Sequence, residues 1–507
     1  MRKRKILVQT VNGVSKSFKK QRSLEDSLKQ FEEVFKGDDS FRVRHFASVS
    51  QDKTIKFCLL YLDGMVDPDI LDTSIINPII RTDFSDDSIP GADVIISQVI
   101  TNHCAKKSRD SQELMLAIVR GDSVLLLDNS IDAIIVSSQG WKSRTPSEPE
   151  GEKLIRGPRE GFVEPILDNL SLIRRRLSTP DLKYKEMVIG TRTKTKVGLV
   201  YIAGIANEQI LNELIERIKK VEMDGIVLAG MLAEFIQDAP YSPFETIGFT
   251  ERPDVAVADL LEGRIIVLVD GTSEALTLPY LFEKFFQSGD DYSLNYVFST
   301  FSRLLRILSF WLTILAPALY VALMTYHQEM IPTSLFMSIL AAREGVPFPT
   351  IVETIGLLLV FEILREAGIR MNISLANALS ILGALVLGTA AVEARIVSAT
   401  VIIVVALTGL TGLMTQKIKA PIVVIRAFLT LLAGFMGLYG ILYGIIIVTL
   451  HMCSIRSFGV PYMMEYTSLN PEELKDTAMR APIWFLKKRP KFIAKNRIRQ
   501  TDRSRQR

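Results

Sequence analysis

The residues best suited to chemistry in this chain are ionisable side chains that precede a long uncharged segment. Glu362, Arg365, Glu366 and Arg370 come directly before a run of 22 residues without a formal charge, Met371 to Val392. A helix of roughly 20 apolar residues is long enough to cross the hydrocarbon core of a bilayer. Ionisable groups beside such a run are costly and usually pair or face water, so the chemistry they indicate is ion handling.

These charged residues are spaced for pairing on one helix face. Glu366 and Arg370 are four residues apart, and Glu362 and Arg365 are three apart, which places each pair within reach. Two interpretations stay open. The residues form either a neutralised structural network at the membrane interface or a charged vestibule that attracts cations, with Glu353 or Glu362 as its unpaired members.

The uncharged run has two different faces when its residues are placed at about 100° per residue. One face carries large aliphatic side chains, and the opposite face is small and polar. The residues of this small-residue stripe are Asn377, Ser380, Ala384, Gly388 and Ala391. The stripe fits close packing against another helix or the wall of a water-filled path, and spacing alone favours packing.

Signatures of bond-making chemistry are missing from the sequence. It contains no phosphate-binding glycine loop, dinucleotide fingerprint, nucleophile elbow or zinc-protease motif. Its four histidines are scattered, and its three cysteines show no CxxC spacing, which argues against a metal centre and against paired disulfides. We therefore expect no enzyme, no catalytic residue, no cofactor and no metal ligand.

Composition separates two unlike halves of the 507 residues. The long uncharged apolar runs all follow residue 306, and the small net charge of +4 argues against nucleic-acid binding by the whole molecule. The basic N-terminus has an apolar run of only three residues, which is too short for a signal peptide. We expect the N-terminal half to lie in the cytosol.

The N-terminal half contains an internal repeat. YLDGMVDPDIL at 61–71 matches YIAGIANEQIL at 201–211, and GDSVLLLDNSIDAIIV at 121–136 matches EGRIIVLVDGTSEALTL at 262–278. The offsets are 140 and about 142 residues. Each member of the second pair has two apolar runs around an Asp-Asn or Asp-Gly turn, which is typical of a β-hairpin. The repeat predicts two related α/β subdomains.

A linker between the repeats ends in a predicted amphipathic helix whose last turn is Arg174, Arg175 and Arg176. Basic residues at a helix C-terminus complement the helix dipole, and we favour this role. The alternative is a contact with acidic groups on a neighbouring domain, a partner subunit or a lipid headgroup.

The C-terminal half is predicted to cross a membrane four times. The four uncharged runs are 307–326, 371–392, 396–416 and 427–450. Shorter apolar pieces over 331–361, interrupted by prolines and charges, predict re-entrant segments. After Leu450 thirteen Lys and Arg stand against five Asp and Glu, which places the tail in the cytosol. The basic 417–426 segment would then face outward, against the same rule.

The predicted fold class is therefore cytosolic tandem α/β subdomains followed by an α-helical multi-pass membrane domain. The predicted parts are a charged helical segment (1–50), subdomain 1 (51–140), a linker and amphipathic helix (141–189), subdomain 2 (190–290), the membrane domain (291–455) and a basic cytosolic tail (456–507).

Segments in collinear order over about residues 120–490 resemble the A subunit of bacterial spore germinant receptors, the GerA-type spore germination family. These segments are GPREGFVEPILDNLSLIRRRL (157–177), TERPDVAVADLLEGRIIVLVDGT (250–272), PALYVALMTYHQEMIPTSL (317–335), EGVPFPTIVETI (344–355), FEILREAGIR (361–370) and SFGVPYM (457–463). The chain departs from the family pattern at MNISLANALS (371–380), at GTAAVEA (388–394) and at SPFE (242–245).

The resemblance implies a role in germination. A subunits of this family are expected to assemble into a homo-oligomeric ring, together with B- and C-type partner subunits, in the spore inner membrane. Nutrient binding, mainly on the B partner, would open a cation path through the ring. The small-residue stripe would then face the ring axis, with Ile381 and Leu387 as an apolar constriction that gates by dewetting.

Two other functions remain open. In the first, the protein is a non-conducting receptor or scaffold whose α/β repeats bind ligand or partners while the helices only anchor it. In the second, weaker one it is a secondary transporter, which the broken helices over 331–361 suggest.

Overall fold

The computed structural model describes residues 23–50, 53–82, 84, 91–102, 104–140, 151–152, 156–371, 383, 386–467 and 474–499. The chain divides into two compact units. The α/β unit comprises the chain up to residue 237 together with 247–279 and 488–499, and the helical unit comprises 238–246 and 280–487.

Two five-stranded antiparallel sheets form the frame of the α/β unit. The strands of the first sheet are β1 (Phe41–Ser50), β2 (Lys53–Leu62), β3 (Ala105–Ser108), β4 (Ser123–Leu127) and β5 (Ala133–Val136). The strands of the second sheet are β6 (Leu182–Ile189), β7 (Thr195–Ile202), β8 (Gly248–Thr250), β9 (Ile265–Val269) and β10 (Ala275–Leu278). The strand orders are β1-β2-β4-β5-β3 and β6-β7-β9-β10-β8, so the repeated sequence has one repeated topology.

Both faces of the first sheet are covered, which explains why its central strands are apolar throughout. Side chains on a strand alternate between the two faces. Cys58 and Leu60 point into a core with the N-terminal helix, whereas Phe57 and Leu59 point into a second core with the helical turns that follow β2. Every residue of β4 is buried, so the alternation of apolar and polar residues that marks a half-exposed strand is absent there.

Among the residues of this unit that the structure describes, six helices of eight or more residues pack on the sheets. They are α1 (Leu24–Val34), α2 (Ser111–Val119), α3 (Ile166–Arg176), α4 (Glu208–Lys219), α5 (Ala229–Ile236) and α6 (Pro253–Glu262). Local signals fix their ends: the side chain of Asn207 accepts a hydrogen bond from the Gln209 amide at 3.0 Å and begins α4. Gly263, at a φ of 96°, ends α6 in the left-handed conformation that glycine favours.

In its described residues the helical unit contains five longer helices and a two-stranded ribbon. The helices are α7 (Tyr296–Thr325), α8 (Thr333–Arg343), α9 (Thr350–Arg370), α10 (Ala399–Leu413) and α11 (Lys419–Ser454), and the ribbon strands are β11 (Arg456–Ser457) and β12 (Val460–Pro461). By length and composition, Tyr296–Thr325 and Gln416–Ser454 are long and apolar enough to cross a membrane.

Helix α11 is a hairpin of two arms, 419–436 and 438–454. Gly437 interrupts it with φ 60° and ψ −139°. A Cβ atom on Gly440 would collide with the carbonyl oxygen of Leu432, and one on Gly444 would lie 3.0 Å from the Leu432 side chain. Residues eight and twelve apart are about 12 and 18 Å apart along a straight helix, so the chain reverses at Gly437. The structure therefore divides the predicted span over 427–450 at Gly437.

Helix α7 runs antiparallel to α10. The hydroxyls of Thr313 on α7 and Thr411 on α10 lie 2.8 Å apart, and farther along the same pair Tyr320 and Thr400 lie 3.0 Å apart. Gly434, near the turn of α11, contacts the side chain of Ile351 at the start of α9. The C-terminus of α7, the N-termini of α9 and α10 and the α11 turn thus share one end of the unit, the hairpin-turn end.

The region predicted to be re-entrant contains one short and one long helix. Helix α8 has no buried residue, whereas α9 has 21 residues, about 31 Å of helix. Two of the charges that suggested a broken element, Glu353 and Glu362, lie within the continuous helix α9. Most of the predicted span 371–392 lies outside the described residues.

Candidate functional site

The centre of the candidate site is a buried ion pair between α9 and α11. Arg426 on the first arm of α11 is 3% exposed and binds Glu362 through its guanidinium group. Glu362 also pairs with Arg365 one turn later. Glu362 is therefore not the unpaired vestibule acid that the sequence suggested. Its partner is 64 residues away in the sequence, so helical spacing could not reveal it.

This pair also changes the interpretation of the basic 417–426 segment. The segment was expected to be a loop facing outward, but α11 begins at Lys419 and includes Arg426. The buried guanidinium group is neutralised by Glu362 inside the helical unit. The pair lines a cavity of about 190 Å³ whose other walls are mainly apolar side chains of α9 and α11.

Glu353 forms a second buried acidic contact, near the hairpin-turn end. Its side chain is fully buried and accepts a hydrogen bond from the backbone amide of Ser398. Arg343 lies 3.8 Å from its other oxygen. Because Ser398 is the N-cap of α10, the carboxylate lies where the helix dipole stabilises negative charge.

The remaining charged residues of the predicted vestibule lie at the opposite end of α9. Glu366 and Arg370 pair at 2.8 Å across one helical turn, and both side chains are more than half exposed. Lys419 lies 3.8 Å from Glu366. The five residues therefore do not form one vestibule: Glu353 is near one end of α9, Glu362 and Arg365 lie in its second half, and Glu366 and Arg370 are in its last turns.

The small-residue stripe is described only in part. Asn377, Ser380, Ile381 and Ala384 lie outside the described residues. Leu387 and Gly388 belong to a helical turn, Val386–Ala390. Gly388 is exposed, with no atom within 4 Å of the position of a Cβ, whereas Ala391 is half-buried against the contact between α9 and α10.

The three arginines that end α3 have different surroundings. Arg174 is 1% exposed and binds both carboxylate oxygens of Asp38, at 3.0 and 2.8 Å, and the hydroxyl of Ser40. Arg175 and Arg176 pair with Glu160 at 3.0 and 2.7 Å. Arg174 thus joins the linker helix to the segment that enters β1, inside the α/β unit.

Sequence reasoning missed a charged network at the start of α7. Arg303 is fully buried and binds Asp291 at 3.0 Å and Asp476 at 2.9 Å. Arg306 also pairs with Asp291. The network ties residues after the ribbon to the first turns of α7. Its only sequence signal is a pair of arginines three residues apart at the edge of a long apolar run.

Sequence reasoning also missed the position of residues 488–499. They belong to the α/β unit and not to a free tail. Lys495 donates its amide to the carbonyl of Ile205 at 2.8 Å, and Ala494 forms an isolated β-bridge with Ala206. The basic composition of this segment gave no hint of a docking position.

Ion pairs and apolar helix contacts, and no metal centre, characterise the part of the chain that is described. Within it, no three His, Cys, Asp or Glu side chains are grouped to hold a metal ion. Cys58 lies in the core of the first sheet, and burial raises the pKa of its thiol to about 12. The described charged groups mainly form ion pairs that join elements within the helical unit and within the α/β unit.

Comparison with known proteins gives the family. Residues 29–492 match the Bacillus/Clostridium GerA spore germination protein family. Spore germination protein KA of Bacillus subtilis is 38% identical over 455 residues, which cover 89% of this chain and 84% of that protein. Spore germination protein B1 of B. subtilis is 35% identical, with 87% and 91% covered.

A solved structure is also similar to part of this chain. The N-terminal domain of the A subunit of the Bacillus megaterium spore germinant receptor GerK3 is 29% identical to this chain, with a TM-score of 0.41. The similarity covers 52% of this chain and 98% of that domain.

The chain belongs to the GerA family of spore germination proteins. These relatives are spore germination proteins, and the matches cover most of their length. A role as a germinant-receptor subunit is therefore supported.

Proposed function

We propose that this protein is the membrane subunit of a nutrient receptor that triggers spore germination. It assembles with itself into a ring, and with B- and C-type receptor subunits, in the spore inner membrane. The ring contains a cation path that opens when nutrient binds. Family membership supports the receptor role. The arrangement of the helices supports the membrane crossings and the cation path.

The helical unit crosses the membrane six times in this proposal. Helices α7, α9 and α10 and the two arms of α11 supply five crossings, since each joins the hairpin-turn end to the opposite end. The chain reaches the opposite end at Arg370, where Glu366 contacts Lys419. It is back at the hairpin-turn end by Ala391, which packs beside Val397 and Val401. The sixth crossing therefore lies between Arg370 and Ala391.

An even number of crossings places both chain termini on one side. The chain leaves the α/β unit after residue 279 and rejoins it at 488. Two parts of one compact unit cannot lie on opposite sides of a membrane. The excess of Lys and Arg after Leu450 assigns that side to the cytosol.

The single observation that carries the channel proposal is the open surface at the end of the stripe. Gly388 is exposed, with free space beyond its α-carbon. A Cβ atom placed on Gly383 would lie 3.3 Å from the Leu364 side chain of α9, and in an ideal helix Gly383 lies roughly 100° from the centre of the stripe. Gly388, at the end of the stripe, is therefore available to face a ring axis.

The test is cation flux through the full chain in liposomes, together with its partner subunits and germinant. Ala384→Leu narrows the proposed path and should reduce flux at least about tenfold. Ala378→Leu adds the same volume roughly 120° from the stripe and should leave flux near the parent level. Equal flux in both variants would remove the stripe from the path.

The alternative function is a non-conducting receptor or scaffold whose α/β unit binds ligand or partners. The same experiment decides between the two. Absence of flux under every gating condition, from a preparation whose subunits assemble and bind germinant, would favour the scaffold.

A further inference from the structure

Residues 488–499 fill a position on the second sheet's subdomain. Besides the bridge at Ala494 and the Lys495 amide, Arg489 donates to the carbonyl of Leu261 at 2.6 Å. The ammonium group of Lys495 pairs with Glu208 at 2.8 Å. The segment thus contacts the loop before α4 on one side and the end of α6 on the other.

The first subdomain shows what this position requires. Ile205 and Ala206 correspond to Met65 and Val66 at the repeat offset of 140. There, residues 138–140 directly after β5 take the position: Val66 forms an isolated bridge with Gln139, and Gly140 donates its amide to Met65 at 3.3 Å. In the first repeat this position is filled by residues of the same repeat. In the second repeat it is filled by residues 488–499, which lie far later in the chain.

The difference has a topological cause. After β10 the chain enters the helical unit at residue 280, so no residues remain to pair beside Ala206. Unpaired backbone groups at such a position can accept an extended segment. The C-terminal segment supplies it more than 200 residues later and is fixed by the fully buried side chain of Ile493.

The contact has a small apolar part. The core cluster of the second subdomain between Phe162 and Ala275 contains no residue of the segment. Apart from Ile493 and the small Ala494, the contact is made by hydrogen bonds and charged pairs, of which Arg499 and Glu262 lie 3.3 Å apart with side chains 27% and 12% exposed. In the pair of Lys495 and Glu208, the side chains are 61% and 74% exposed, and such pairs contribute little to stability.

We propose that residues 488–499 are a detachable latch on the second subdomain. The latch is docked in the resting protein and leaves its position when the receptor responds to nutrient. Since the latch directly follows the helical unit in the chain, its release would connect events in the helices with the α/β unit. The part of this inference that links release to nutrient rests on the proposed receptor function.

Hydrogen exchange on the full chain in nanodiscs tests detachment without any germination readout. The amides of Arg489 and Lys495 should exchange at least about tenfold faster than those of Val200 and Ile266, which lie in the paired strands β7 and β9. Ile493→Asp should increase the exchange of the latch further. The matched change at the 62% exposed Ile498 should not. Exchange of the latch only as slowly as the central strands would overturn the proposal.

A reversible cross-link tests the role of release. Bridged residues in antiparallel strands have Cα atoms about 4.5–5.5 Å apart, within the range of a disulfide. In spores of a Cys104→Ser, Cys453→Ser background, the pair Ala206→Cys and Ala494→Cys should slow nutrient-triggered germination at least about fivefold when oxidised. Reductant should restore the rate, and each single cysteine should leave it unchanged.

The outcomes separate the latch from the receptor role. If fully cross-linked spores germinate at the parent rate, the functional role of release is wrong while the receptor role stands. If a strain lacking this protein responds to every nutrient like its parent, the receptor role fails and the functional half of the latch proposal fails with it. The exchange rates still decide detachment. A disulfide between two chains would show that the segment docks on a neighbouring copy and would overturn the latch within one chain.

Discussion

Charged side chains inside the helical unit are held in contact with groups that neutralise them. Arg426 contacts Glu362, and Glu353 lies between Arg343 and the amide of Ser398. Burying such groups without partners would cost several kcal/mol each. The sequence could show that charges interrupt the apolar segments, and it predicted the pairs within one helix. It could not show Arg426 as a partner because that contact depends on the packing of α9 against α11.

The pair of Arg426 and Glu362 should be strongly coupled. Glu362→Gln alone should destabilise the helical unit by about 3–5 kcal/mol, since it leaves the buried charge of Arg426 without its partner. Arg426→Gln should cost less, because Glu362 keeps its pair with Arg365. The double variant should cost less than the sum of the two. The measurement is the midpoint of thermal denaturation in detergent, followed by size exclusion. Glu366→Gln, at a side chain 54% exposed, should change the midpoint little, and strictly additive losses would contradict the coupling.

Arg174 should stabilise the α/β unit in a way that an exposed arginine does not. Arg174→Ala leaves the buried carboxylate of Asp38 uncompensated and should cost about 3–5 kcal/mol. The control is Arg192→Ala, because the pair of Arg192 and Asp224 is 3.6 Å long and its side chains are 82% and 79% exposed; it should cost below about 1 kcal/mol. Protease resistance of the unit against temperature measures both. Equal effects would contradict the role assigned to Arg174.

At the scale of elements, the repeats and the helical patterns carried most of the information. Two matches at nearly one offset predicted two related subdomains, and the two sheets have the same strand order. The hairpin in α11 was not predictable from hydropathy, because a 24-residue apolar run fits one span as well as two packed arms. What separates these possibilities is the conformation of Gly437 and the close approach at Gly440.

The hairpin should depend on the absence of a side chain at Gly440. Gly440→Ala places a methyl group against the carbonyl oxygen of Leu432, and a backbone group cannot move aside as a flexible side chain can. We expect a large loss of monodisperse protein. Gly356→Ala in α9, where a Cβ meets no atom within 4 Å, should be neutral or stabilise by up to about 1 kcal/mol. Normal yield and stability of Gly440→Ala would contradict the hairpin.

At the scale of the whole molecule, the proposal requires that both chain termini and the opposite end of the helical unit share one side of the membrane. The positive tail predicted this side, whereas the sequence predicted four crossings and the proposal has six. The two numbers differ because charges interrupt the apolar pattern of α9 and because the apolar run of α11 contains two arms. Charge patterns report only what a segment contains, whereas the crossings follow from which helix ends meet.

Thiol labelling in oriented vesicles should show this arrangement. Cys104 and Cys453 are exposed and should react with a membrane-impermeant maleimide from the cytosolic side only. Gln328→Cys, close to the hairpin-turn end, should react from the other side only. Cys58 should not react in the folded protein, because it is buried and its pKa is raised to about 12, so little thiolate forms. Labelling of all three accessible positions from one side would contradict the six crossings.

The most direct test of the cation path is chemical modification of Gly388→Cys during flux measurements. The background carries Cys104→Ser and Cys453→Ser, and the protein is reconstituted with its partner subunits and opened by germinant. A small charged thiol reagent should attach at position 388 and block cation flux, while the parent without this cysteine should be unaffected. Complete labelling at position 388 with flux unchanged would contradict a path along the stripe.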